Sequence, residues 1–222
     1  MLSDLKTYEK SVYSQFGEDG VIGRILECIG TTNRFFVDFG AFDGISLSNT
    51  ANLRLHHGWT GLLMDGDSSN HNSLVTTESV TAENVEALFK KHGVPNEFDL
   101  LSIDIDGNDY WVWQAIERFV PRVVVIEYNI FFGLQHAKTM PYRADHVWDK
   151  TAYHGASLAA LRKLGRSKGY SLVWTESYSP NAFFVLDREL PAEFVDLPIE
   201  QVAHWFGYDQ PTDDLNRDWV DV

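Results

Sequence analysis

The residues able to do chemistry in this 222-residue chain gather just where short apolar runs end. The first group is Asp38-Phe39-Gly40-Ala41-Phe42-Asp43-Gly44. Its glycines let a backbone turn sharply and come close to a ligand. The second is Asp65-Gly66-Asp67, whose first acid lies 21 residues beyond Gly44. That is near the spacing at which an acid grips ribose hydroxyls in nucleotide-binding folds. Asp65 is nearer the preceding run than Asp67 and is preferred for that role. Two more groups are Asp104-Ile105-Asp106-Gly107-Asn108-Asp109 and Glu127-Tyr128-Asn129. Carboxylates and an amide oxygen from two such ends suit a hard divalent ion such as Mg²⁺, with Asp104, Glu127 and Asn129 as ligands. Several carboxylates in one cleft without a cation would raise one another's pKa. Each also has a plainer duty open to it. Asp104 can hold a substrate or part of a cofactor, Asp109 can cap a following helix, and Asp106 can hold the Gly107 turn.

The glycine turn excludes some ligands. No Gly-Lys-Ser/Thr follows it, so it is not a Walker loop. Asp38-x-Gly40-x-x-x-Gly44 departs from the dinucleotide fingerprint G-x-G-x-x-G, and Asp43 would repel a pyrophosphate. A cofactor with ribose and no phosphate fits better. S-adenosylmethionine carries a sulfonium and an ammonium, which Asp38 and Asp43 would attract.

These groups need elements to position them. Apolar residues at helical spacing predict helices over 18–29, 48–56, 84–92, 109–119 and 157–168. Short apolar runs predict strands over 35–39, 61–64, 79–82, 100–103 and 123–126. Two closing strands, 171–174 and 181–186, are too closely joined for a crossover helix and form an antiparallel hairpin. Strands alternating with helices mean an α/β domain with a mostly parallel sheet. In such a sheet ligands bind beyond the carboxyl ends of the strands, where the groups above lie. Trp111 and Trp113, at i and i+2 on a helix, face different sides, so at most one packs on the sheet.

Composition limits the partners. Lys+Arg number 18 and Asp+Glu 32, a formal net charge of −14. Duplex nucleic acid and anionic membrane surfaces are poor partners for such a chain. The single cysteine, Cys28, sits in an apolar helical stretch and reads as core. The N-terminus lacks the apolar core of a signal peptide and no run is long enough to span a bilayer, so the expectation is a cytoplasmic protein. The chain reads as one domain: an N-terminal segment and helix (1–30), a cofactor-binding core (35–130), a substrate cover (129–154), a helix and hairpin (155–188) and an acidic tail (189–222). Asp209, Asp213, Asp214, Asp218 and Asp221 make that tail a solvated or loosely docked end. A homo-oligomer is compatible with all of this.

Residues 35–44, the acid after strand two, and Leu101-Ser102-Ile103-Asp104-Ile105-Asp106-Gly107 resemble class I S-adenosylmethionine-dependent methyltransferases. Tyr13-Ser14-Gln15-Phe16-Gly17-Glu18-Asp19, Tyr153-His154-Gly155-Ala156-Ser157-Leu158, Gly169-Tyr170 and Asn181-Ala182-Phe183-Phe184-Val185 resemble the FkbM-like and related saccharide or small-molecule methyltransferases. The resemblance covers about residues 13–186. It implies a Rossmann-like, seven-stranded, mostly parallel sheet with a C-terminal antiparallel hairpin and helices on both faces. It implies S-adenosylmethionine as cofactor and methyl transfer to a hydroxyl of a small polar acceptor, a sugar in a glycan or natural product being favoured. The implied cofactor residues are Gln15, Asp38, Gly40, Asp43, Gly44, Asp65 and Asp104. If 79–82 is strand three, Glu83 and Asn84 meet the adenine, although Asn84 also suits an N-cap or turn. The family's helix between strands two and three is longer than 68–74 supplies. The metal-dependent O-methyltransferases use an acid after strand four and an acid beside Asn after strand five; here Tyr128 separates Glu127 from Asn129.

Asp104 and His136 are the expected catalytic residues. His136 is favoured over His146 and His154 as base because it lies nearest strand five. Tyr128, Phe131, Phe132, Tyr142, Trp148 and Tyr153 are candidates for an acceptor pocket and equally for packing beneath a cover. Two rival readings are a nicotinamide-dependent oxidoreductase and a non-catalytic S-adenosylmethionine-binding or interaction domain.

Overall fold

A computed structural model describes residues 2–67, 69, 73–178, 180–204 and 216–222. Parallel strands covered on both faces read as continuous apolar runs. Four of the five expected from such runs are present, and a further one stands earlier than expected. They are β1 (Phe35–Phe39), β2 (Thr60–Asp65), β3 (Val75–Thr77), β4 (Glu97–Ile103) and β5 (Val120–Glu127). A hairpin of β7 (Tyr170–Thr175) and β8 (Asn181–Leu186) completes one sheet, in the order β3-β2-β1-β4-β5-β8-β7. β1 to β5 pair in parallel, and β8 runs antiparallel to both β5 and β7. This is the Rossmann-like, seven-stranded mixed sheet expected from the sequence.

Period-2 alternation divides the strand side chains between two cores. On one face Phe36, Leu63, Leu100 and Val123 pack against α1 (Glu18–Ile29), α2 (Ala51–His56) and the 3₁₀ segment Leu2–Tyr8; Cys28 lies at the edge of this core. On the other, Val37, Met64, Leu101 and Val124 pack against α3 (Val85–Lys91), α4 (Asp109–Ala115) and α5 (Leu158–Ser167). α5 begins with Ser157, whose hydroxyl accepts the Ala160 N–H, the usual way a serine satisfies an orphan helix donor.

Two elements differ from expectation. The third strand is 75–77 rather than 79–82: Val75, Thr76 and Thr77 pair with Leu63, Met64 and Asp65, while 79–82 forms the turn into α3. α4 stops at Ala115 rather than running to 119, because Ile116 turns extended and Lys168 caps the helix by donating to the Gln114 and Ile116 carbonyls. Part of 68–74 lies outside the described residues, as do Asp209, Asp213 and Asp214 of the tail. The last seven residues are docked rather than loose. There β9 (Val220–Asp221) pairs with β6 (Lys138–Thr139) of the cover, and Trp219 packs on Phe132 and Tyr153. No helix among the described residues is long and apolar enough to cross a membrane.

Candidate active site

Register decides which side chains meet. Phe39 pairs with Ile103, and Ile103 with Ile126, so the next residues, Gly40, Asp104 and Glu127, leave the sheet side by side. The approach at Gly40 is close enough to exclude any side chain. Its φ is +72°, and a Cβ there would lie 1.7 Å from the Asp104 carbonyl oxygen.

Carboxylate oxygens of Asp104, Asp106 and Glu127 lie within 4.8 Å of one another. Asp106 reaches the group from a left-handed backbone, φ +55°, which an aspartate tolerates better than most residues. Asp109, not Asp106, holds the turn, by accepting the Ile105 and Gly107 N–H groups at 2.9 and 2.8 Å. Burial, and then Glu127, Asp106 and Asp109, push Asp104 well above the usual carboxylate range. Glu127 is likewise raised by burial and then by Asp109 and Asp106. Burial and Asp109 raise Asp106 to about 6. His154 Nδ1 stands 3.5 Å from Glu127 Oε2, and neither atom has a hydrogen-bond partner among the described residues. Burial lowers the His154 pKa, which keeps its ring neutral near pH 7.

Asn129 does not join the cluster. Its side chain is spent locally: Oδ1 accepts the Phe131 N–H, and Nδ2 donates to the Ala152 and His154 carbonyls. It caps the 3₁₀ turn Ile130–Phe132 and ties the cover down.

Two cavities meet at Gly40 and Asp104, which line both. The larger, about 600 Å³, is walled by Asp65–Asp67 and Glu78–Val80 on one side and by 144–148 on the other. The smaller, about 140 Å³, is lined by Gln15, Asp38, Asn49 and Ser102 among others. Asp38 is buried, and accepts the Thr50 hydroxyl at 2.6 Å; burial raises its pKa to about 6. Asp65 faces the larger cavity with its two oxygens already accepting the Phe42 and Asp67 N–H groups.

Other expected residues stand elsewhere. Asp43 folds back on its own turn, accepting the Ile45 and Ser46 N–H groups and the Ser46 hydroxyl, and those bonds lower its pKa. It lines neither cavity, so its repulsion is no argument against a pyrophosphate; the glycine spacing still is. Gly44 lines neither cavity and gives its carbonyl to Arg54. Because strand three lies earlier than expected, Glu78, Ser79 and Val80 take the wall positions expected of Glu83 and Asn84. Glu83 is exposed and accepts the Tyr142 hydroxyl. Asn84 caps the turn, accepting from Thr81 N–H and donating to the Ser79 carbonyl. His136 is exposed and lines neither cavity. His146 lines the larger one, its Nε2 3.2 Å from the Asp106 carbonyl.

Among the aromatics, Trp148 lines the larger cavity and packs edgewise on His154. Tyr128 is core, and Tyr153 donates to the Asp218 carbonyl beneath the Arg217 guanidinium. Trp113 is buried against Phe184, whereas Trp111 holds the cover by donating to the Met140 carbonyl.

No protein-family model matches the sequence, and no curated protein sequence does. Solved methyltransferases are among the similar structures. An S-adenosylmethionine-dependent methyltransferase from Clostridium acetobutylicum is 11% identical, with 76% of this chain and 90% of that one covered and a TM-score of 0.41. For the CurJ carbon methyltransferase the identity is 10%, the coverage 75% and 52%, and the TM-score 0.44, so this chain spans about half of that one. For the magnesium protoporphyrin IX methyltransferase of Synechocystis with bound S-adenosylmethionine the values are 12%, 76% and 77%, and 0.38.

The geometry adds three features to the expected set: Asp106 as third carboxylate, His154 beside Glu127, and Ser79–Val80 as cavity wall. Spacing alone does not separate Asp106 from Asp109, since either acid is placed to hold the Gly107 turn that Asp109 holds.

Proposed function

We propose that this chain is an S-adenosylmethionine-dependent methyltransferase acting on a hydroxyl of a small polar acceptor, a saccharide being favoured, with a divalent cation held by Asp104, Asp106 and Glu127. The observation that carries the reading is the junction at Gly40 and Asp104. There a cavity of nucleoside dimensions meets a smaller polar one floored by the buried Asp38, beside a converging acid cluster.

The residues fit the cofactor. Asp38 provides a buried negative charge for its ammonium group, Asp65 and the bare Gly66 backbone receive the ribose, and Ser79–Val80 pack along the base. The donor set also fits a hard cation, because Glu127 Oε2 is buried with no hydrogen-bond partner among the described residues and lies among two more carboxylates. When bound, these groups would supply a sulfonium methyl and polarisation of the acceptor oxygen, respectively. The protein's own residues do the rest. The cleft walls fix donor and acceptor in line, where positioning gives much of the acceleration. As the acceptor oxygen gains the methyl group its proton must leave, and His154, 3.5 Å from Glu127 behind Asp104, would be the group to receive it. Asp104 lines both cavities with Asp106 and Glu127 gathered beside it, which favours catalysis over a purely binding role.

Calorimetry with S-adenosylmethionine and S-adenosylhomocysteine, with and without Mg²⁺ or Mn²⁺, tests both parts. Glu127→Ala and Asp106→Ala should each lower cation affinity at least about tenfold, while Asn129→Ala should not. No binding of either nucleoside overturns the reading. Unchanged cation binding in Glu127→Ala overturns the metal centre alone.

A further inference from the structure

Residues 144–148 form one wall of the larger cavity, and the segment 140–148 that carries them is attached mostly to the floor. Trp111 Nε1 donates to the Met140 carbonyl at 2.8 Å, Asn108 Nδ2 donates to the Arg143 carbonyl at 2.7 Å, and His146 meets the Asp106 carbonyl. All three partners belong to the β4–α4 turn or the helix it opens. One residue reaches the opposite wall instead. The Tyr142 hydroxyl donates to the Glu83 carboxylate and accepts the Ala82 N–H at 3.2 Å. Ala82 and Glu83 follow Val80 of one wall by two and three residues, and Tyr142 precedes Ala144 of the other by two. The bond therefore joins the two walls of the cleft without lying in it.

We propose that Tyr142 and Glu83 form a latch that sets the width of the nucleoside cleft, with Tyr142 as a positioning residue for the cofactor. The role assigned to the cleft rests on the function proposed above; the latch rests on the contact itself. Glu83, whose place near strand three suggested contact with adenine, acts at one remove, by fixing the wall that does touch it. A carboxylate is not essential to such a latch. Glutamine keeps an acceptor oxygen at the same place, whereas alanine removes it.

Hydrogen exchange on the full-length, cofactor-free chain reads the latch directly. In Glu83→Ala the amides of 143–148 should exchange about tenfold faster, the loss expected for one hydrogen bond, and in Tyr142→Phe, which also loses the Ala82 N–H, at least as fast. Glu83→Gln should match the parent, and the Phe/Ala double variant should be no faster than Tyr142→Phe alone. In stopped flow, S-adenosylhomocysteine should leave the two single variants several-fold faster and Glu83→Gln at the parental rate. Parental exchange in both Tyr142→Phe and Glu83→Ala overturns the latch, and so does a Glu83→Gln variant that behaves like Glu83→Ala. If the parent binds no S-adenosylhomocysteine, the proposed function falls and the exchange data alone decide the latch.

Discussion

Asp38 is buried near the end of β1 with one strong hydroxyl donor and, among the described residues, no cation paired with it. Burial holds its folded pKa at about 6, above the ordinary 3.8. A carboxyl raised in this way contributes its full stability below about pH 4, and that contribution is lost as the pH rises through the folded value. At pH 7 to 8, Asp38→Asn should therefore unfold at higher denaturant than the parent, by up to about 3 kcal/mol. The gain should vanish near pH 4. The same change should weaken S-adenosylmethionine binding at least about tenfold, because the buried charge awaiting the ammonium is gone. A variant no more stable at pH 8 than at pH 4, relative to the parent, would show that the surroundings do not strain this group. Function and stability oppose each other at this residue, as buried charges at binding sites commonly arrange. Asn129 shows the opposite error at the same scale. An amide two residues after an acid resembles a ligand pair, yet Asn129-x-Phe131 is also an Asx turn, and the local bond prevailed.

At the scale of elements, the expected strands and helices match the structure best where burial is complete. Residues 35–39, 100–103, 123–126 and 181–186 each fall within an observed strand, because a strand covered on both faces has few polar alternatives. β3 escaped because it is an edge strand of three residues, too short for a period to register. Its displacement puts Ser79 and Val80, rather than Glu83 and Asn84, in the wall of the larger cavity. The N-terminal segment is fixed by a device that periodicity does not reveal. Asp19 Oδ2 accepts the N–H groups of Val12, Tyr13 and Ser14, at 2.8, 2.7 and 2.8 Å, and so sets Gln15 at the smaller cavity. Asp19→Ala should cost about 3 kcal/mol in chemical denaturation and also lower nucleoside affinity. Stability lost with affinity unchanged would mean that Gln15 has no part in binding.

Across the whole molecule, polar chemistry is separated between the two ends of the sheet. Near the start of β4 and β5, Arg122 bonds Asp99 at 2.7 Å and Glu189 at 2.6 Å, and donates to the Ile29 and Gly30 carbonyls; Asp99 also accepts three backbone N–H groups, of Thr32, Asn33 and Arg34. Here every charge is answered by its opposite. Arg122→Ala should cost about 3–5 kcal/mol by leaving Asp99 buried and unpaired, yet leave the nucleoside affinity of the folded fraction unchanged. Thermal unfolding paired with calorimetry on one sample checks both halves. The reversed direction of β8 bears on the other end. Had β8 run with its neighbours, the connection from β7 would have crossed to the far edge. Running against them, it leaves the short link between Thr175 and Asn181 beside Glu127, its register partner's end. That link is a site where sequence length can vary without disturbing the ladder, since a few added residues in a surface connection cost little. Growth of this one turn would therefore change what stands beside Glu127 while the order and pairing of the sheet stay as they are.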